Sequence, residues 1–304
     1  MTRFETILCP IDLAAPSEIA LDHAIALGEW SAAEVTVLAI RPHGGLAGRM
    51  SRAGWRGSPS AEHAPALAER IRQVSGRAVS VEEAEGAVGR ETVRAAGDLR
   101  ADLIVMAARQ TWRIERLLFG SVTEHVLMRT RCPVLIVPPG RGPAPSPPAA
   151  LFERIVCGVD RSLESHRGLA YALALGGCHL TLAHALEDFA DEDPRFAGHF
   201  NSAACWREVE PDIRAEYERL VPEEARLWCA IDVVVTVGRA ESVLIEAAKA
   251  RRASLMVIGT AGMHLPVGTT ARHVIERAPC PVLAVPRAPP RADGPARSAT
   301  PALP

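Results

Sequence analysis

Residues 7–12 read ILCPID and residues 155–160 read IVCGVD, so an apolar run closed by an aspartate occurs twice, 148 residues apart. A second match keeps this offset, because CPVL at residues 132–135 returns at residues 280–283. A period of this length is typical of a duplicated domain and too long for a solenoid repeat. The sequence therefore predicts two copies of one domain, fused in tandem.

The boundaries of the two copies follow from composition. We place copy one at residues 1–138 and copy two at residues 151–287. Between them, residues 139–150 are rich in proline and are predicted to form an extended linker. After copy two, residues 288–304 form a Pro, Ala and Arg tail that is expected to be disordered. A chain of 304 residues has the length for two cores of ordinary size.

Within each copy, short apolar runs alternate with longer segments of helical period, which is typical of βαβ units. The predicted strands are 6–11, 34–40, 78–82, 102–107 and 134–137 in copy one, and 154–159, 179–184, 232–237, 254–259 and 282–285 in copy two. Several of them lack polar alternation, as expected of parallel strands that are covered on both faces. The predicted fold class is α/β: two tandem doubly wound domains, each a five-stranded parallel sheet with helices on both faces.

The first helix of each copy carries boundary signals. Ser17 and Ser165 are predicted to cap the N-terminal ends of these helices. Gly28 and Gly176 are predicted to end them, because glycine is favoured just past a helix C-terminus.

Composition excludes several classes of protein. The chain is 48% hydrophobic and 23% charged with a net charge of −2, which describes a globular protein and argues against a nucleic-acid binder. No run approaches the length of a membrane helix, and the N-terminus lacks a basic region followed by an apolar run. We expect a cytoplasmic protein with no membrane and no nucleic-acid partner.

Metal and catalytic motifs are missing from the sequence. The seven cysteines contain no CxxC pair, and five that lie in or beside apolar segments are predicted to be buried free thiols: Cys9, Cys132, Cys157, Cys229 and Cys280. None of the ten histidines falls in an HxxxH or HExxH arrangement, so no metal is predicted. Without a GxSxG elbow or a P-loop lysine, no catalytic residue is assigned.

A ligand site is predicted at the carboxyl ends of the strands, where the strand order of an open parallel sheet reverses. Asp160 closes the first strand of copy two, and a glycine-containing loop follows the fourth strand and leads into a helix near Gly268. Glycines and a helix N-terminus let backbone N–H groups approach a phosphate. The aspartate is expected to accept a hydrogen bond, either from a ribose or from a nearby backbone amide. The candidate binding residues are Asp160, Gly259, Thr260, Gly262, Gly268, Thr269 and Thr270 in copy two, and Asp12, Gly120 and Ser121 in copy one.

These motifs resemble the universal stress protein family. That family carries, after its fourth strand, a glycine, two residues, a second glycine, nine residues and Gly-Ser or Gly-Thr, followed by a helix and a Pro-Cys-Pro-Val strand. The resemblance covers nearly the whole chain outside the linker and the tail. It implies strand order 3-2-1-4-5 in each copy, an intramolecular pseudo-dimer in which the two copies pair through their last strands, and further pairing of two chains into a homodimer.

The copies depart from the family pattern in different ways. Copy one has Ala107 and Gln110 where the two loop glycines belong. Copy two keeps Gly259 and Gly262, but only five residues separate Gly262 from Gly268. Ser121 and Glu124 resemble a capping box, whereas copy two has Arg272 at the position of Glu124, which favours an anion. We therefore expect one candidate pocket, in copy two, beside a largely structural copy one.

The function that the resemblance implies is that of a stress-response module with an adenine-nucleotide pocket, for ATP or AMP, which we expect in copy two. Two alternatives stay open. One is a slow ATPase, and the other is an interaction protein whose pockets have degenerated and bind no nucleotide.

Overall fold

The structure is a computed structural model of the chain. It describes residues 4–11, 15–41, 69, 71–72, 79–108, 120–139, 144–145, 147–176, 179–186, 203–260 and 267–287, with the backbone alone for 15–17 and 203–208. Several predictions fall outside these residues: the roles of Asp12 and Gly262, the side chain of Ser17, and the state of the tail 288–304.

Strands and helices alternate along both copies. The strands of copy one are β1 (Thr6–Ile11), β2 (Glu34–Arg41), β3 (Ser80–Glu85), β4 (Leu103–Ala107) and β5 (Val134–Val137), and its described helices are α1 (Ala15–Ser31), α2 (Val88–Asp98) and α3 (Ser121–Arg129). The strands of copy two are β6 (Arg154–Gly158), β7 (His179–Leu186), β8 (Ala230–Val237), β9 (Leu255–Gly259) and β10 (Val282–Val285). Its described helices are α4 (Leu163–Leu175), α5 (Ala203–Arg219), α6 (Ala240–Ala250) and α7 (Thr269–Arg277). The third strand of copy one, β3, differs most from its predicted range.

The strands form one ten-stranded sheet in the order β3-β2-β1-β4-β5-β10-β9-β6-β7-β8. Neighbouring strands within each copy run parallel. Each copy therefore has the order 3-2-1-4-5, and the predicted fold class is confirmed. The first strand of each copy lies between the second and the fourth, so strand order reverses beside β1 and beside β6.

The two copies meet in the middle of the sheet, where β5 and β10 pair antiparallel. Leu135 lies opposite Leu283, with Val134 opposite Ala284 and Ile136 opposite Val282 on either side. Because Leu135 and Leu283 occupy the same place in their copies, the register is symmetric about this pair. A local two-fold axis therefore relates the copies at this junction.

Two hydrophobic cores cover the two faces of the sheet, because successive side chains of a strand point to opposite sides. Ile7 and Cys9 belong to the first core, which packs under α1, α4 and α5, while Leu8 belongs to the second, under α2, α3, α6 and α7. Both cores continue through both copies, since Leu135 and Leu283 belong to the first core and Ile136 and Val282 to the second. The helices thus lie on both faces, as predicted.

The end of the predicted linker is folded. Residues Pro148–Phe152 form a 3-10 helix, and the buried Phe152 ring packs against Trp30 of α1 with ring centroids 4.6 Å apart. Proline is compatible with the first position of a helical turn, which explains how a Pro-rich segment can end in one. An aromatic contact of this kind fastens the start of copy two to copy one.

Three of the predicted helix boundaries are wrong. Helix α1 begins at Ala15, so Ser17 lies inside the helix and is not its N-cap. Helix α1 runs past Gly28 to Ser31, and Gly28 is there because a side chain at this position would collide with Val35. Helix α4 is capped by Ser162, whose side-chain oxygen accepts the Ser165 N–H at 3.1 Å, so Ser165 lies inside the helix. Gly176 does end α4 as predicted, in the left-handed conformation with φ 72°.

The five cysteines predicted to be buried free thiols are buried and form no disulfide bond. Burial raises the pKa of Cys9 and of Cys157 to about 12. Among the helices of the described ranges, none has the length and apolar character needed to cross a membrane.

Candidate functional site

The candidate site lies at the carboxyl edge of copy two, at the point where strand order reverses. Strands β6 and β9 are neighbours, with Cys157 paired to Val257, so the chain leaves both strands at the same edge of the sheet. Asp160 follows β6 by two residues, and Thr260 follows β9 directly. The fold thus brings together the two sequence regions in which ligand residues were predicted.

Asp160 is exposed and organises the turn into α4. Its Oδ1 atom accepts the backbone N–H of Ser162 at 2.8 Å. The Ser165 hydroxyl donates to the Asp160 carbonyl at 2.7 Å, which holds the turn from inside the helix. One carboxylate oxygen is therefore engaged by the local backbone, while the other accepts no hydrogen bond from the described residues.

Gly259 lies against the first turn of α4. A side chain there would place its Cβ 2.9 Å from the carbonyl carbon and the Cβ of Glu164, and 3.0 Å from the backbone nitrogen of Ser165. Real Cβ atoms do not approach a backbone this closely. The absence of a side chain at Gly259 is consequently required by the packing of a helix on a strand, whether or not a phosphate approaches as well.

Thr260 and Gly268 close the loop that follows β9. The backbone N–H of Thr260 donates to the carbonyl of Val285 at 3.0 Å, and its side chain is buried. The N–H of Gly268 then donates to the Thr260 carbonyl at 2.8 Å, so the loop begins and ends at one point of the sheet edge. This closure fixes the start of α7 beside the end of β9.

Helix α7 begins at this edge with a glycine. Gly268 is the N-cap residue, with φ −65° and ψ 152°, and it has no side chain to satisfy the N–H groups of the first turn. Thr269 is exposed and Thr270 is half-buried. Free N–H groups and the positive end of the helix dipole favour an anion at such a position.

The matching helix of copy one begins in the same way. Gly120 is the N-cap of α3, with φ −70° and ψ 145°, and Ser121 is the exposed first residue of the helix. The predicted capping box of Ser121 and Glu124 is therefore wrong, because the cap lies one residue earlier. Glu124 instead forms an ion pair with Arg272, with Arg272 Nη2 3.2 Å from Glu124 Oε2.

Sequence reasoning missed a group of polar side chains on the α5 side of this edge. Arg161 holds Glu216 with two hydrogen bonds of 3.0 and 2.8 Å, and this pairing lowers the pKa of the Glu216 carboxyl. His184 lies with Nδ1 2.8 Å from the Val159 carbonyl and 3.0 Å from the Tyr217 hydroxyl. Burial raises the pKa of Tyr217 to about 12. In the sequence, only the position of Arg161 next to Asp160 could have indicated that this group belongs to the candidate site.

These contacts tie α5 to the turn that follows β6. They join residues 55 and 33 positions apart, for Arg161–Glu216 and His184–Tyr217 respectively, so no local sequence pattern predicts them. Helix α5 is thereby held beside the turn that contains Asp160. Within the described ranges, no three His, Cys, Asp or Glu side chains lie close enough to hold a metal ion.

Comparison with known proteins settles the family. A sequence model described as the Universal stress protein family matches residues 3–138 and, a second time, residues 151–286. The chain belongs to the universal stress protein family. Both matches together span most of the chain, and they place one universal stress protein domain in each copy.

Curated relatives of this universal stress protein have the length of one copy. A universal stress protein of Methanocaldococcus jannaschii is 29% identical over 139 residues, which is 44% of this chain and 82% of that protein. A universal stress protein of Thermus aquaticus is 32% identical over 147 residues, which is 44% of this chain and 99% of that protein.

A solved structure extends the likeness to both copies of this universal stress protein. The crystal structure of a universal stress protein from Archaeoglobus fulgidus covers 93% of this chain and 98% of its own, with 21% identity and a TM-score of 0.65. At this level of identity the likeness concerns the fold. It shows the same tandem α/β architecture along nearly the whole chain.

Proposed function

We propose that this protein is a stress-response binding module whose copy two takes an adenine nucleotide, ATP or AMP, at the carboxyl edge between β6 and β9. The observation that carries the proposal is the juxtaposition of two features at the point where strand order reverses. The exposed carboxylate of Asp160 lies after β6, and the glycine-capped start of α7 lies after β9.

The two features suit the two ends of a nucleotide. A helix N-terminus with free N–H groups binds phosphate, and the exposed hydroxyl of Thr269 adds a donor at the first helical position. A carboxylate at this edge can accept hydrogen bonds from ribose hydroxyls, the contact that an acidic residue makes in dinucleotide-binding doubly wound folds. Gly259, Thr260, Gly262 and Thr270 complete the proposed contact set, with Gly259 and Thr260 also holding the edge together.

Copy one is proposed to be the structural partner. Its β4 ends in Ala107 where β9 ends in Gly259, and Gln110 stands where copy two has Gly262. The candidate nucleotide contacts that remain in copy one are Asp12, Gly120 and Ser121. The proposed roles are therefore unequal, with the nucleotide in copy two.

The two copies are proposed to work as one unit, an intramolecular pseudo-dimer through β5 and β10. The antiparallel pairing of these strands and the two cores shared across them support this proposal. Pairing of two chains into a homodimer stays a prediction, which sedimentation equilibrium of the full chain tests directly.

Titration calorimetry tests the nucleotide proposal. Full-length protein, purified without added nucleotide and checked by native mass spectrometry, is titrated with ATP and separately with AMP. Saturable binding of one of them with a stoichiometry of one per chain is the expected result. A protein that carries no nucleotide and shows no heat with either ligand at millimolar concentration contradicts the proposal.

A second candidate function is favoured by the packing at Gly259. Since α4 alone requires a glycine there, this part of the family motif is explained without a ligand. The chain would then be an interaction protein with degenerate pockets. The same titration separates the two functions, because only the first one gives binding heat.

A further inference from the structure

The junction between the copies places one residue of copy one next to its own counterpart in copy two. Glu124 and Arg272 are 148 positions apart, which is the offset of the repeat. Arg272 Nη2 donates to Glu124 Oε2 at 3.2 Å. Such a contact is expected near a two-fold axis, where a residue faces the same position of the other copy.

A residue that faces its own counterpart cannot be charged in a symmetric pair without repulsion. Two copies like copy one would bring a glutamate against a glutamate at this position, and two copies like copy two would bring an arginine against an arginine. The actual pair is acidic on one side and basic on the other. The charges are thus complementary when unlike copies pair and repulsive when like copies pair.

The paired strands themselves offer little to distinguish the copies. Strand β5 reads VLIV and β10 reads VLAV, all eight residues are buried, and the backbone hydrogen bonds of a ladder carry no sequence information. An apolar edge of this kind accepts any similar edge, including that of another chain. Selectivity has to come from side chains that flank the strands.

We propose that Glu124 and Arg272 make this junction selective, so that copy one pairs with copy two of the same chain and not with a like copy of a second chain. The proposal rests on the pairing of copies proposed above, and it is independent of nucleotide binding. Strand β5 of copy one therefore pairs with β10 of copy two, and neither strand pairs with its equivalent in a second chain.

Single charge reversals reproduce the two rejected pairings inside one chain. Glu124→Arg places two arginines at the junction, as would happen if copy two paired with another copy two. Arg272→Glu places two glutamates there, as would happen if copy one paired with another copy one. The double variant Glu124→Arg/Arg272→Glu restores an opposite-charge pair with the signs exchanged. The alanine variants Glu124→Ala and Arg272→Ala remove the attraction without adding repulsion, and they serve as intermediate cases.

Hydrogen–deuterium exchange of the full-length variants measures the opening of the junction at residues 134–137 and 282–285. Each reversal is expected to speed exchange there about fivefold at low salt, since an attraction is lost and a repulsion of similar size is gained. The double variant should exchange like the original protein, and the difference should shrink at about 1 M salt.

A matched control lies inside copy two. Glu216→Arg turns the exposed Arg161–Glu216 pair into a like-charge pair that does not cross the junction, so exchange at residues 134–137 should not change. Single reversals that exchange like the original protein overturn the proposal. So does a double variant that exchanges as fast as the single ones, or a salt-independent effect, because the cause would then not be charge. Failure of nucleotide binding leaves all these outcomes unaffected.

Discussion

Glu124 of α3 and Arg272 of α7 hold equivalent positions in the two copies and form an ion pair with each other where the copies meet. Both side chains are partly exposed, at 39% and 46%, so water and salt screen the interaction. A double-mutant cycle with Glu124→Ala and Arg272→Ala is expected to give a coupling free energy of about 0.5 kcal/mol in urea unfolding. A coupling of zero at low salt would mean that the two residues do not meet in solution.

Gly259→Ala should destabilise the protein, because the new Cβ would lie 2.9 Å from the Glu164 backbone. We expect a loss of about 1–3 kcal/mol in the free energy of unfolding, as for other overpacked sites. Gly97→Ala is the control, since it lies at the exposed end of α2 with nothing within 4 Å of its Cβ position. That change should stabilise the protein by about 0.5–1 kcal/mol through helix propensity. Equal effects of the two changes on the urea midpoint would refute the packing argument.

Asp160→Asn should weaken nucleotide binding if Asp160 contacts the ribose. Loss of one charge-assisted hydrogen bond corresponds to roughly a tenfold or greater rise in Kd, measured by calorimetry. Asp12→Asn makes the same change at the matching position of copy one and should leave Kd unchanged. If the Asp12 variant loses affinity and the Asp160 variant keeps it, the pocket belongs to copy one.

His23 should make stability fall in mild acid. Its ring is buried in α1 with Nδ1 2.8 Å from the Ile19 carbonyl, and burial lowers its pKa below the ordinary value of 6.5. As pH falls, His23 therefore takes up a proton in the unfolded chain before it does so in the folded protein. Its contribution to the free energy of unfolding is complete above pH 6.5 and is lost as pH falls through the lowered pKa.

Urea unfolding at pH 7.5 and pH 5.5 measures this effect. The midpoint of the original protein should drop more between the two values than that of His23→Leu, which has no titrating group at this position. An identical drop in both proteins would show that other groups cause the acid sensitivity.

The fold was predictable because its signals are local. Most of the parallel strands are short apolar runs such as residues 103–106, because both of their faces are covered. The edge strand β3, which reads SVEEAE, is an exception. The repeat then gave each predicted strand of copy one a counterpart in copy two. The errors occurred where packing overrules a local rule, as at Gly28, which Val35 approaches too closely for any side chain and which therefore resembles a helix end without being one.

The candidate site was predictable in part. Asp160 and Gly268 have recognisable positions after a strand and before a helix, and the sheet brings their elements together at one edge. The contacts of α5 were missed because Arg161–Glu216 and His184–Tyr217 join distant segments of the chain. A single charged or aromatic residue in a sequence does not indicate which residue it will contact.

The sequence by itself determined that this protein consists of two unequal copies of a universal stress protein domain. Repetition, apolar runs and glycine positions are properties of the chain that need no knowledge of contacts. Only the tertiary structure decided that Glu124 faces Arg272 and that Gly259 faces α4. The physical reason is that both contacts join residues that are far apart in the chain. Only the pairing of the strands and the packing of the helices on the sheet bring them together.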